Sequence, residues 1–97
     1  MTPDLATVLA AIRAHREAAL ADGVYLVGVV GSVARGEASE ASDVDVVYKI
    51  AGRPTLMTLG SIMSDLELAI SAPVDLVNLA TVPDLVRIGM ERDLVTA

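Results

Sequence analysis

The stretch from Val24 to Ile50, VYLVGVVGSVARGEASEASDVDVVYKI, decides the fold. Val24 to Val30 is apolar and rich in β-branched residues, the composition of a buried strand. Gly31-Ser32 closes it. A short helical turn follows through Ala34 and is stopped by Gly36. Glu37 to Ser42 is small and polar, hence a loop. Asp43 to Ile50 reads as a second strand. Alternation puts Val44, Val46, Tyr48 and Ile50 on one face and Asp43, Asp45 and Val47 on the other.

Upstream, Thr2-Pro3 reads as an N-cap followed by proline in the first helical turn. Leu5, Val8, Leu9, Ile12 and Ala19 keep one face of that helix apolar, and Asp22-Gly23 ends it. Downstream, Gly52-Arg53-Pro54 makes a turn. Leu56, Leu59, Ile62, Met63, Leu66 and Ile70 form the stripe of a second long helix. Gly60 within it costs about 1 kcal/mol relative to alanine. Pro73 to Leu79 is a third strand. Thr81 and Pro83 open a last helix with Asp84 at its positive end, and Leu94 to Ala97 is an edge strand. Strands interleaved with helices predict an α/β (α+β) architecture with a sheet packed on helices. Residues 1–97 are expected to form a single domain.

Composition narrows the chemistry. With 54% hydrophobic residues but only two tyrosines and no Phe or Trp, the core must be aliphatic. The absence of cysteine excludes disulfides, zinc-thiolate sites and a cysteine nucleophile. A net charge of -6 with scattered Lys and Arg argues against direct nucleic-acid binding. No apolar run approaches the roughly 20 residues of a membrane helix. The N-terminus shows no basic region leading into an apolar run. A cytoplasmic location is the expectation.

Three features carry chemistry. Gly31-Ser32 ends a buried strand and opens a helix, where close backbone approach and free N–H groups suit phosphate oxygens. Alone, such a pair is an ordinary strand-to-helix corner with a serine cap. Asp43 and Asp45 share a strand face with Cα atoms roughly 6.5–7 Å apart. Oxygen donors so placed suit Mg2+ held together with substrate phosphates. Asp45 lies close to burial, where an unpaired carboxylate is costly. Asp75, in an otherwise apolar strand, either completes a three-carboxylate cluster or guards an exposed sheet edge. Such a cluster could hold two metal ions for in-line displacement at phosphorus. Its third carboxylate could take the nucleophile's proton. A Walker A loop is absent, since the only lysine is Lys49, and there is no dinucleotide glycine fingerprint.

Val30-Gly-Ser-Val-Ala-Arg-Gly-Glu-Ala38 followed by Ser42-Asp-Val-Asp-Val-Val47 resembles the nucleotidyltransferases of the DNA polymerase beta superfamily. Their hallmark is Gly-Ser, ten residues, then Asp-x-Asp, and ten residues separate Ser32 from Asp43. The Ala-Arg-Gly insert and the serine before the first aspartate look most like the minimal nucleotidyltransferase (MNT) branch. The resemblance implies a nucleotidyltransferase fold, a small mixed sheet flanked by helices. It implies triphosphate binding at Gly31 and Ser32, and Mg2+, two ions in number, at Asp43, Asp45 and Asp75. Arg35 matches the motif arginine, which either contacts phosphate or braces the loop through a carboxylate. Glu37 reads as a solvated loop acid.

Many members of this branch are encoded beside a HEPN-domain protein, in pairs that look like toxin–antitoxin systems. The resemblance therefore implies an antitoxin that moves AMP from ATP to a tyrosine of a HEPN RNase toxin, within a hetero-oligomer. Two alternatives stand beside it. One is an antitoxin that silences its toxin by contact alone. The other is a small-molecule nucleotidyltransferase of the aminoglycoside type. His15, Asp65 and Glu67 read as surface residues, and Met57, Met63 and Met90 as core or interface filler.

Overall fold

The computed structural model describes residues 2–97. Asp4, rather than Thr2, caps the first helix, α1 (Leu5–Ala21). Its carboxylate accepts from the Thr7 backbone N–H at 3.0 Å and from the Thr7 hydroxyl at 2.7 Å. An anionic cap satisfies an open N–H and also meets the positive end of the helix, so Asp4 displaces the threonine before it. Pro3 lies ahead of the helix and is buried.

The chain continues through β1 (Val24–Val30), α2 (Gly31–Ala34) and β2 (Val44–Ile50). Next come α3 (Leu56–Ile70), β3 (Val74–Val77), α4 (Asp84–Asp93) and β4 (Val95–Thr96). The sheet order is β3-β2-β1-β4. β1 runs antiparallel to β2 and to β4, while β2 and β3 are parallel. Parallel neighbours need a long crossover, and α3 supplies it.

One sheet face packs on α1 and α3. Val8, Ile12, Leu26, Val29, Val44, Val46 and Leu66 are wholly buried there. This core is aliphatic throughout, as the composition requires. α3 meets it through Ile62, Leu66 and Ile70. Leu56, expected in the apolar stripe, stands exposed in the first turn together with Met57, because contact begins further along the helix. Glu67 is not a solvated acid. It is half-buried, and its Oε2 accepts the Val74 backbone N–H at 2.9 Å, tying the crossover helix to the start of β3.

A β-bulge governs the other face. Leu26 pairs with Tyr48, but Gly28 pairs with Val47, so Val27 is the extra residue. Before the bulge Val24 and Leu26 face the core; after it Val29 does. Gly28 and Val30 therefore turn to the opposite face. Arg16 of α1 holds the bulge. Its Nε and Nη2 donate to the Leu26 carbonyl at 3.0 and 2.9 Å, and Nη2 reaches the Val27 carbonyl at 3.4 Å. The guanidinium also lies 5.2 Å from the centre of the Tyr25 ring. A side chain on Gly28 would run into the Val95 carbonyl, so glycine is what lets β4 pair there.

α4 is different in kind. None of its residues is buried, and Leu85 and Ile88 are exposed. It touches β1 and α2 without closing a second core layer. Among the described residues, no helix is long and apolar enough to cross a membrane.

Arg16→Met keeps an apolar stem but leaves carbonyls of the bulge without their charged donor. It is expected to cost about 1–3 kcal/mol in urea unfolding. Amide exchange should quicken around residues 26–28.

Candidate active site

The bulge and the strand order bring the motif residues to one end of the open sheet face. Val30, the last residue of β1, pairs directly with Asp45. Gly31 follows at φ 81°, a left-handed conformation that favours glycine. A Cβ on Gly31 would stand 2.5 Å from Asp45 Oδ2, so the carboxylate lies over the glycine backbone. Glycine is thus required twice, for its dihedral and for the space.

α2 has no side-chain cap, since its N-cap position is Val30. The Arg35 N–H donates to the Gly31 carbonyl at 3.1 Å. The earlier N–H groups of the turn are the ones a helix leaves open. Ser32 is half-buried, and its carbonyl accepts the Glu37 N–H at 2.8 Å. These bonds fold Gly31–Glu37 into a compact corner beside Asp45.

The loop before β2 is also built. Ser39 N–H donates to Ser42 Oγ at 2.8 Å, and Ser42 N–H donates to the Ser39 carbonyl at 3.0 Å. This turn delivers Asp43 to the head of β2, where the Val44 N–H pairs with the Pro73 carbonyl at 2.8 Å. The parallel register then sets Asp45 beside Asp75. Adjacent strands lie roughly 4.8 Å apart. Asp43 shares the face of Asp45 by alternation.

The structure therefore brings Gly31, Asp45 and Asp75 together, with Asp43 and Ser32 flanking them. Asp43 and Asp75 are exposed and Asp45 is half-buried. Among the described residues, no three acidic or histidine side chains are already gathered into a metal-ligand cluster. Like charges stand apart, and the field they make is visible at Asp45. Burial pushes its pKa up, the neighbouring charges of Asp75 and Asp43 push it further, and Arg35 opposes them. The donor set is all carboxylate oxygen, with Asp45 half-buried and little positive charge beside it, which fits a hard divalent cation.

Arg35 ends α2. Its Nε donates to Glu37 Oε2 at 3.1 Å and its Nη1 to Asp93 Oδ2 at 3.0 Å. Hydrogen bonds to Glu37 and then to Asp93 raise its pKa. Glu37 thus has an ion-pair partner despite its exposure. Asp93 was silent in the sequence: it lies 58 positions from Arg35, and a lone acid at a helix end carries no signal.

A cavity of about 770 Å³ occupies the same sheet face beyond the carboxylates. Val27, Val47, Lys49, Leu79, Arg87 and Leu94 are among its lining. Gly31, Ser32, Asp43, Asp45 and Asp75 are not part of its lining; it lies toward the far end of β2, beneath α4. His15, away from all of this, is half-buried with its Nδ1 2.8 Å from the Ala11 carbonyl.

Comparisons with known proteins agree with this layout. Residues 17–92 match the family model described as Polymerase beta, Nucleotidyltransferase. A solved structure of a candidate minimal nucleotidyltransferase superposes with a TM-score of 0.71 at 34% identity, covering 95% of this chain and 94% of that one. A crystal structure of a toxin–antitoxin with AMP-PNP shares the fold at 20% identity, with a TM-score of 0.59. That match covers 84% of this chain and 61% of the other. No curated protein matched. The mixed four-stranded sheet with its flanking helices is the nucleotidyltransferase fold. The chain belongs to the polymerase beta nucleotidyltransferase family, and its solved relatives include a minimal member of similar length.

Asp45 also gives a stability prediction. Its folded pKa is raised, so the folded chain binds that proton more tightly than the unfolded chain. Stability falls as pH rises from the unfolded pKa through the folded one, and at neutral pH the charge is a net cost. With EDTA present at pH 7, Asp45→Asn is expected to melt a few degrees higher than the unmutated chain. The gain should shrink as the pH falls through the ordinary carboxylate range, where the proton is taken up in both states.

Proposed function

We propose that this chain is a metal-dependent adenylyltransferase that moves AMP from ATP to a tyrosine of a HEPN-domain toxin. The observation that carries the reading is the carboxylate of Asp45 held over Gly31 and beside Asp75. In this reading a phosphate-binding corner stands next to a cation-binding set. The toxin–antitoxin with AMP-PNP shares this fold, which supports a nucleotide and a toxin as partners. The exposed Leu85 and Ile88 of α4 offer such a protein an apolar surface.

In this reading Gly31 and Ser32 receive the triphosphate through backbone N–H groups and the serine hydroxyl. Asp43, Asp45 and Asp75 would hold Mg2+. Bound Mg2+ supplies charge that stabilises the attacking oxygen and the leaving pyrophosphate. The tyrosine oxygen forms a bond to the α-phosphorus as the bond to the β-phosphate oxygen breaks. Asp75, exposed on the edge strand, would take the tyrosine proton. The chain's task is mainly to position and to supply fixed charge.

The test is transfer of labelled AMP from ATP and Mg2+ to the protein encoded beside this chain. A label on a partner tyrosine is expected. Asp43→Asn and Asp45→Asn should each slow it at least about 100-fold. A partner that is bound and silenced without any label would establish inhibition by contact alone. Label on an aminoglycoside instead of protein would establish the small-molecule activity.

A further inference from the structure

Arg35 stands four positions after Gly31, at the C-terminal end of the short helix that bears Ser32. Its guanidinium is gripped by two carboxylates from opposite parts of the chain. Glu37, two residues away, is a local tether with a largely exposed side chain. Asp93, in the last turn of α4, is the less exposed of the two. A planar guanidinium held through Nε and Nη1 is fixed in orientation as well as in place. Of its five N–H donors, those on Nη2 have no protein partner among the described residues. The Arg35 backbone N–H closes on the Gly31 carbonyl at 3.1 Å, so the residue that bears the guanidinium stands one helical turn from that glycine. α4 itself buries nothing, and the Asp93 ion pair is one of the fixed points between that helix and the site.

We propose that Asp93 is a positioning residue for the nucleotide: from α4 it holds Arg35 so that the free Nη2 edge meets the triphosphate bound at Gly31-Ser32. The inference rests on the nucleotidyltransferase reading above. It gives Arg35 both roles that the motif left open, a brace through carboxylates and a contact to phosphate. A long side chain oriented in advance has less freedom left to lose when phosphate arrives. It also makes the seating of α4 a factor in nucleotide affinity, since linkage between two such events is reciprocal.

The experiment uses the full chain with Asp93→Asn and Asp93→Glu, and ATP with Mg2+ as the probe. Calorimetry should show the dissociation constant for ATP rising about 3- to 10-fold in Asp93→Asn, with recovery in Asp93→Glu. In the transfer assay KM for ATP should rise by a similar factor while kcat stays within about twofold. Without nucleotide, amide exchange should quicken at residues 35–37 and along α4 in Asp93→Asn. Equal ATP affinity in Asp93→Asn and the unmutated chain overturns the inference alone. Tighter ATP binding in Asp93→Asn also overturns it, because Asp93 would then be competing with phosphate for Arg35. Failure of the unmutated chain to bind ATP at all removes the nucleotide reading and this inference with it.

Discussion

The parallel ladder between β2 and β3 sets Asp45 beside Asp75, two carboxylates at neighbouring-strand distance with Gly31 pressed against one of them. Such a pairing works against folding, because burial and like charge both penalise the ionised Asp45. The rest of the domain outweighs that penalty. Val44 and Val46 alternate with Asp45 on β2, are wholly buried and lock the strand to α1 and α3. A slip of one residue would put Asp45 into that aliphatic core and its valines into water. Hydrophobic alternation therefore fixes the position of the charge. The site is a local frustration imposed on a core that tolerates no other register.

The two faces of the sheet divide the labour. The α1–α3 face carries the packing, and the other carries the carboxylates, the corner at Gly31 and the open cavity. The bulge at Val27 is the hinge of that division. By shifting the alternation of β1 it sends Val29 to the packing face and Val30, itself buried, to the other, directly opposite Asp45. Arg16, reaching from α1, stabilises the two carbonyls at the irregularity. A residue on the packing helix thus supports the geometry of the opposite face through backbone alone.

Much of this was legible in the chain because the informative residues are close together. Gly31, Ser32, Asp43 and Asp45 fall within fifteen positions, between two strands whose boundaries follow from β-branched runs and glycine stops. Asp75 was legible only conditionally, since its value depended on β3 lying next to β2. What escaped was long-range or unpatterned. The bulge sits in a run of valine and glycine with no polar residue to mark a change of face. Arg16, Glu67 and Asp93 act on partners 10, 7 and 58 positions away, and no local periodicity encodes those distances. Thr2 and Leu56 misled because propensity describes a helix end, whereas the tertiary contact decides which residue caps and which is covered.

α4, the last helix, buries none of its residues. Sequence drift on its outer face therefore meets almost no purifying pressure from the core. Leu85 and Ile88 can be exchanged for other side chains while the sheet, the bulge and the carboxylates stay as they are. A surface of that kind is where new binding preferences arise most cheaply. The carboxylate end of the sheet could be kept across diverging lineages while that exposed surface is rewritten one residue at a time.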